Sequence, residues 1–389
     1  MSTNQSKIDQ FLQQYCPNGV VFKHLSEVVN ILDNQRKPVS KGNRQGWKYP
    51  YYWANGIQDY VDDYIFDGTF LLLGEDGSVI NKDWTPVLNW ATGKIWVNNH
   101  AHVLSEKPEE ALLRYVFFAL SELDVTKIVR GNIPKITQQD LKIFQIPIPP
   151  LPVQEEIVKI LDTFTELEAE LEAELEARKS QYEYYRDDLL SFGDDVEIRP
   201  LEEIANFSQW IQIDVSKQSL VKEDGYVQFL RIVDFVKSNE PPRYIENPWN
   251  RYVKKEGDLV MIRYGASAAG KVFLDYEWAI ANNMFQIKLK TNELTTKFLH
   301  CYLAQTKIYN YLNSNWGAST MPAITFGQIG AVKIPIPSIS EQERIVALLD
   351  KFDDLVNDIS IGLPAELQAR RQQYEYYRNK LLTFNPLEK

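Results

Sequence analysis

Cysteine is nearly missing: Cys16 and Cys301 are the two thiols in 389 residues. That is too few for a disulfide framework and points to a reducing, cytoplasmic setting. No apolar run of about 18 residues occurs, so no membrane-spanning helix is expected. The opening MSTNQSKIDQF lacks the apolar core of a secretion signal. Histidine is scarce too. Strand alternation would put His100 and His102 on one face, but no cysteine joins them and His24 and His300 lie elsewhere, so no metal constellation forms. The sequence has no G-x-G-x-x-G, no G-x-S-x-G and no defensible nucleophile–base pair, and the acid pair Asp62–Asp63 has no catalytic context. The segment GASAAGK (265–271) fits a phosphate-loop spacing, yet Val272 stands where magnesium ligation needs Ser or Thr. The run after it reads as a strand, and GEDGSV (74–79) follows TFLLL in the matching place, so both read as Gly-rich turns between strands. The chain is therefore expected to be non-catalytic and to hold no cofactor or metal. A basic surplus is also lacking, since the net charge is −11; taken whole, that argues against a nucleic-acid binder.

What is present is a duplication. Residues 146–164, IPIPPLPVQEEIVKILDTF, recur at 334–352 as IPIPSISEQERIVALLDKF, and 174–192, ELEARKSQYEYYRDDLLSF, recur at 366–384 as ELQARRQQYEYYRNKLLTF. The hexapeptide QYEYYR is intact in both copies, and Gln154 matches Gln342. Weaker echoes pair 20–29 with 196–205 and IPKIT (133–137) with MPAIT (321–325). The expected order is an N-terminal helical segment (1–19), a globular region (20–145), an arm (146–192), a second globular region (193–333) and a second arm (334–384).

Each arm reads as a long helix. Ile157, Ile160, Leu161, Phe164, Leu167, Leu171, Leu175, Tyr182, Tyr185 and Leu189 recur at three- and four-residue steps. Pro152 suits a first turn, Ser340 with Glu343 has capping-box spacing, and Gly362 with Pro364 should interrupt the second arm. A rod of roughly 38 residues, about 57 Å at about 1.5 Å per residue, needs a partner for its apolar stripe. The arms are therefore expected to pair as an antiparallel coiled coil; packing of each arm on its own globular region is the other reading. The globular regions read as α+β. Strands are expected at 69–73, 94–97, 226–233, 258–264 and 284–290, with closing helices at 108–123 and 292–312.

Resolved by segment, the acidity lies in the arms. Residues 153–191 carry a net −8 and residues 341–384 a net −2, while 1–152 and 192–340 carry −1 and 0. Between Asp33 and Asp59 there is no acid, yet Arg36, Lys37, Lys41, Arg44 and Lys48 fall there among Trp47, Tyr49, Tyr51, Tyr52 and Trp53. Such a stretch can neutralise phosphates and read base edges, or it can be a solvated loop. The second region offers a scattered basic set, including Arg231, Lys254, Lys255, Arg263 and Lys271.

At the duplicated IPIP…Q-x-x-I-x-x-x-LD and QYEYYR motifs the chain resembles the specificity subunit of type I restriction–modification enzymes, over nearly its whole length. The resemblance implies two DNA target-recognition domains, each reading half of a bipartite site, and arms that set the spacer. It also implies docking of two methyltransferase subunits, which bind S-adenosylmethionine, and of restriction subunits using ATP and magnesium; the specificity subunit itself does no chemistry. The DNA-contacting candidates are the ten basic residues named from Arg36 to Lys48 and from Arg231 to Lys271. Tyr182, Tyr185, Tyr374 and Tyr377 are the candidate partner-facing residues. A coiled-coil scaffold with two binding modules and no DNA role is the alternative. The ELEA triplet at 166–177 also looks like the family's device for changing spacer length.

Overall fold

The computed structural model describes residues 10–44, 48–77, 79–128, 134–209, 212–236, 240–248, 258–265, 268–274, 279–314, 323–358 and 360–387. The chain divides into two compact units, one of residues 1–170 with 367–389 and one of residues 171–366. Among the described residues no helix is long and apolar enough to cross a membrane, and both cysteines are free thiols.

In the first unit, strand β1 (Val21–His24), helix α1 (Leu25–Val28) and β2 (Val29–Ile31) precede β3 (Tyr49–Trp53), β4 (Gly56–Val61), β5 (Phe66–Gly74), β6 (Leu88–Val97) and β7 (Ala101–Glu106). Helices α2 (Leu113–Ser121) and α3 (Gln138–Ile143), strand β8 (Gln145–Ile148) and helix α4 (Leu151–Leu189) follow. Six strands form one sheet in the order β2-β7-β5-β6-β3-β4, and β1 pairs antiparallel with β8. The run Phe70–Leu73 is apolar throughout because both faces of β5 are covered, its side chains alternating between them. Leu71 and Leu73 join Leu104, Tyr115 and Phe118 on one face, while Phe70 and Leu72 join Tyr52, Ile95 and Val103 on the other. The C-terminal tail returns to this unit, where Val20 donates to the Asn385 carbonyl and Leu387 donates to the Val20 carbonyl, each at 2.9 Å.

The second unit repeats the plan. Its elements are β9 (Ile198–Pro200), α5 (Leu201–Ile204), β10 (Ala205–Gln209), β11 (Tyr226–Leu230), α6 (Ile232–Val236), β12 (Tyr244–Glu246) and β13 (Leu259–Ile262). They continue with β14 (Val272–Phe273), β15 (Ala279–Ile280), β16 (Met284–Leu289), α7 (Thr296–Leu303), α8 (Thr306–Asn313), α9 (Phe326–Gly330), β17 (Lys333–Pro335) and α10 (Ile339–Val356). The order β10-β16-β13-β14 repeats β2-β7-β5-β6, and β17-β9 repeats β8-β1. In each unit a further antiparallel strand pair makes a parallel pairing: β3–β4 joins the six-stranded sheet with Tyr51 beside Trp96, and β11–β12 forms a separate three-stranded sheet with Phe229 beside Ala279 of β15. The faint IPKIT/MPAIT echo marks equivalent helix starts: Thr137 caps α3 in a box with Asp140, and Thr325 caps α9 in a box with Gln328. Three expected elements differ, the first being the helix expected over 108–123, which starts at Leu113. The run expected as one strand at 226–233 enters α6 at Ile232, and the helix expected over 292–312 divides into α7 and α8. At that division the buried Gln305 bonds the Tyr302 carbonyl and the chain restarts.

The arms pair antiparallel within each unit. The C-terminal helix, α11 (Leu363–Leu382), runs against the first part of α4 in the first unit. There Phe164 stacks on Tyr377 with centroids 5.4 Å apart, and Glu168 meets Arg371 at 2.6 Å. In the second unit the latter part of α4 runs against α10, with Tyr185 stacked on Phe352 at 5.7 Å and Leu190 in one core with Ile345 and Leu349. The second arm breaks where Gly362 and Pro364 predict. A Cβ on Gly362 would lie 2.4 Å from the Asp354 carbonyl oxygen and 2.7 Å from that of Leu355, so no side chain fits. The cap of α10 is Ser338 rather than Ser340, its hydroxyl accepting from the Glu341 amide at 3.4 Å.

The duplicated glutamine joins each arm to its domain. The Gln154 carbonyl accepts from the amide of Leu112, the N-cap of α2, at 2.9 Å, and its amide donates to Pro149 at 2.8 Å. Gln342 repeats this at Thr295, the N-cap of α7, with 2.8 Å to the Thr295 amide and 2.8 Å to the carbonyls of Glu293 and Pro337. Both side chains are fully buried. Gln342→Ala would strand three backbone groups, an expected loss of roughly 2–3 kcal/mol. A denaturant midpoint that stays put would contradict this.

Candidate functional site

The basic stretch of the first unit is the loop from β2 to β3, and aromatic groups of the sheet hold it down. Trp96 donates from its indole to the Lys37 carbonyl at 2.7 Å, and the Tyr51 hydroxyl accepts from the Val39 amide at 3.0 Å. Lys37, Lys41 and Lys48 are exposed along this loop. Arg44 is half-buried, its Nε donating to the Val39 carbonyl at 2.8 Å and its guanidinium carbon 5.2 Å from the Tyr51 ring centre and 5.5 Å from that of Trp53. Trp47 lies outside the described residues.

Arg36 faces the other way. Its side chain is 11% exposed and pairs with Glu75 at 2.7 Å and Asp33 at 3.4 Å. It also donates to the carbonyls of Ala101 at 2.8 Å and Asp33 at 3.1 Å. Behind it lies His102, fully buried, with Nδ1 2.6 Å from Asp33 and Nε2 2.9 Å from the Ile136 carbonyl. Burial pushes the Asp33 carboxyl up, but the hydrogen bond and charge of His102, the charge of Arg36 and the Val103 amide outweigh it and hold the group below its ordinary value. Potential ligand atoms of Asp33, Glu75 and His102 lie within 4.8 Å of one another. The Arg36 guanidinium pairs with both carboxylates and Lys135 pairs with Glu75 at 3.4 Å, so two acids meet two cations and the cluster is a neutralised network rather than an open ligand set. His100 and His102 do not act together; His100 bonds Asp76 and stacks on Trp53 at 4.7 Å.

In the second unit the three described candidates stand on different segments, Arg231 after β11, Arg263 after β13 and Lys271 before β14. Arg231 closes on Asp234 at 2.6 Å and on the Pro241 carbonyl at 3.1 Å. Lys271 is exposed between the turn at 268–270 and β14. Lys254 and Lys255 lie outside the described residues. Arg263 donates to the Gln209 side chain and to the Ile324 carbonyl, both at 3.2 Å, and its guanidinium carbon lies 4.9 Å from the Tyr264 ring centre. Its place repeats that of Glu75: the Ile136 amide bonds the Glu75 carbonyl at 2.8 Å, and the Ile324 amide bonds the Arg263 carbonyl at 2.9 Å. The same framework thus carries opposite charge in the two units.

The four candidate partner tyrosines are used inside each unit. Tyr377 is buried on Phe164, Tyr374 lies 6.2 Å from the same ring, and Tyr182 and Tyr185 pack on Phe352. Burial pushes the Tyr182 hydroxyl up to about 12. Tyr185 is still 39% exposed, and the most outward rings of the hexapeptide are Tyr184, 68% exposed, and Tyr376, 49% exposed. Its arginines turn inward: Arg378 pairs with Glu122 at 2.5 Å, and Arg186 donates to the Thr306 hydroxyl at 3.2 Å.

The description "Type I restriction modification DNA specificity domain" matches this chain twice, at residues 17–177 and 193–369. A putative type I restriction enzyme specificity subunit of Haemophilus influenzae is 35% identical, covering 99% of this chain and all of that protein. The EcoR124I/EcoR124II specificity subunit of Escherichia coli is 30% identical over 79% of this chain and 80% of its own length. Among solved structures, the S subunit of a type I restriction–modification system from M. genitalium shares the fold, with a TM-score of 0.58 at 17% identity over 93% of this chain and 96% of that one. A chain from a structure of type I system assembly aligns with a TM-score of 0.61 at 15% identity, over 94% of this chain and 98% of that one. With two matched domains and relatives spanning its length, the chain belongs to the type I restriction–modification specificity subunits.

Proposed function

We propose that this chain is the DNA-reading subunit of a type I restriction–modification complex, each unit recognising one half of a bipartite duplex site. The observation that carries this reading is the duplicated framework with unlike side chains: the same strand end bears Glu75 in one unit and Arg263 in the other. One scaffold with different side chains suits two different half-sites. The basic loop of the first unit supplies exposed lysines for phosphate contact. The chemistry belongs to partners: two methyltransferase subunits carrying S-adenosylmethionine, joined in the full complex by restriction subunits using ATP and magnesium. Exposed Tyr184 and Tyr376, at matching places on the arms, are assigned to partner contact together with the part-exposed Tyr185.

Methylome sequencing of cells with and without this gene tests the reading. A bipartite motif should be methylated only when the chain is present. An unchanged methylation pattern after deletion would remove the proposal.

A further inference from the structure

Arg36 and Arg44 are eight residues apart on one acid-free stretch and have opposite fates. Arg36 is closed on two carboxylates and three carbonyls. Arg44 uses only Nε, on the Val39 carbonyl, and among the described residues no acceptor meets its two terminal nitrogens. We propose that Arg44 reads a guanine in the half-site of the first unit, while Lys37, Lys41 and Lys48 contact phosphates. The assignment rests on the DNA-reading function above and deepens it.

The support beneath Arg44 is layered. Tyr51 carries the guanidinium against its ring while its hydroxyl pins the Val39 amide, so one residue fixes both the arginine and the carbonyl that anchors it. Trp53 offers a second ring at 5.5 Å, and His100 stacks on that indole with planes 25° apart. His100 is itself held by Asp76. A guanidinium positioned by two rings and a carbonyl anchor loses little freedom on binding. Its remaining donors form a fixed planar fork, which matches O6 and N7 of guanine in the major groove. A phosphate needs no such fixed plane, and the exposed, flexible lysines nearby suit it better. Among the described residues no carboxylate pairs with Arg44 to compete for the fork.

The test uses the complex assembled with its methyltransferase subunits, competed against duplexes carrying every single base-pair change across the bipartite site. Wild-type complex should disfavour replacement of one G·C pair by about five- to a hundredfold. Arg44→Ala should accept all four base pairs there, and so should Arg44→Lys, which keeps the charge but not the fork. The other positions, including the whole second half-site, should keep their discrimination, which also reports that the variants fold. Arg44→Lys discriminating as wild type, or a loss spread evenly over all positions, would overturn the assignment in favour of a phosphate contact. A wild-type complex with no sequence preference would instead overturn the function itself, and the inference with it.

Discussion

Deleting residues 170–173, one ELEA unit, is expected to shorten the recognised spacer by close to two base pairs and leave both half-sites unchanged. Four residues shorten an ideal helix by about 6 Å and turn it by roughly 40°, against about 3.4 Å per base pair. The structure explains why α4 can take this change. Between Leu161 and Arg186 no residue of the helix is buried, and Leu167, the first leucine of the triplet, is 39% exposed. The segment is helical through the intrinsic preference of Glu, Leu and Ala, helped by pairs such as Glu174 with Arg178 at 3.4 Å. Its length is therefore free to vary without opening a core, whereas the docked ends, at Ile157 and Leu161 and again at Leu190, are not. Methylation of the parent site should fall by roughly a hundredfold as contacts to one half-site are lost, and a site with the shorter spacer should be methylated in its place. Methylome sequencing of the deletion strain reads both effects. New half-site sequences, or an unchanged spacer, would contradict the assignment of this segment.

The architecture was legible because the duplication preserves the residues that join arm to domain. Gln154 and Gln342 stood out by position alone, and their buried amides explain why that residue type sits there twice. The break at Gly362 was readable from glycine and proline chemistry. Less legible was anything settled by contacts distant in sequence. Arg36 looked like part of a basic surface because its own stretch holds no acid. Yet Glu75, its closest ionic partner, comes from the end of β5, and His102, which shares Asp33 with it, comes from β7. The hairpin β3–β4 was also obscured: Tyr49–Trp53 reads as aromatics scattered among basic residues, while Tyr51 and Tyr52 are in fact buried strand positions. The hexapeptide carries rings for both faces of the arm. Tyr182 and Tyr185 belong to the apolar stripe by their spacing and pack on Phe352, Tyr185 remaining 39% exposed, while Tyr184 faces outward at 68%.

Replacing Arg36 by alanine is expected to destabilise the protein by about 3–5 kcal/mol, the range for breaking a buried ion pair. The cause is what remains: Asp33 and Glu75, with side chains 4% and 16% exposed, keep their burial and lose a shared cation. Lys41→Ala, at an exposed position of the same loop, should change stability by less than about 0.5 kcal/mol. The pH dependence follows from Asp33. Its carboxyl lies lower in the folded protein than in the unfolded chain, so it contributes stability above the unfolded value of about 3.9 and loses it as pH falls through the folded value. Removing Arg36 takes away one of the charges holding that value down, so Arg36→Ala should lose stability at a higher pH than the parent on acidification. Denaturant unfolding from neutral pH to pH 3 measures both effects. The DNA measurement separates the two roles: Lys41→Ala should reduce the salt slope of duplex binding by about one unit, whereas Arg36→Ala, once stabilised by cold or partner subunits, should leave the slope unchanged. A stable Arg36→Ala protein with a reduced slope would place the arginine on DNA instead.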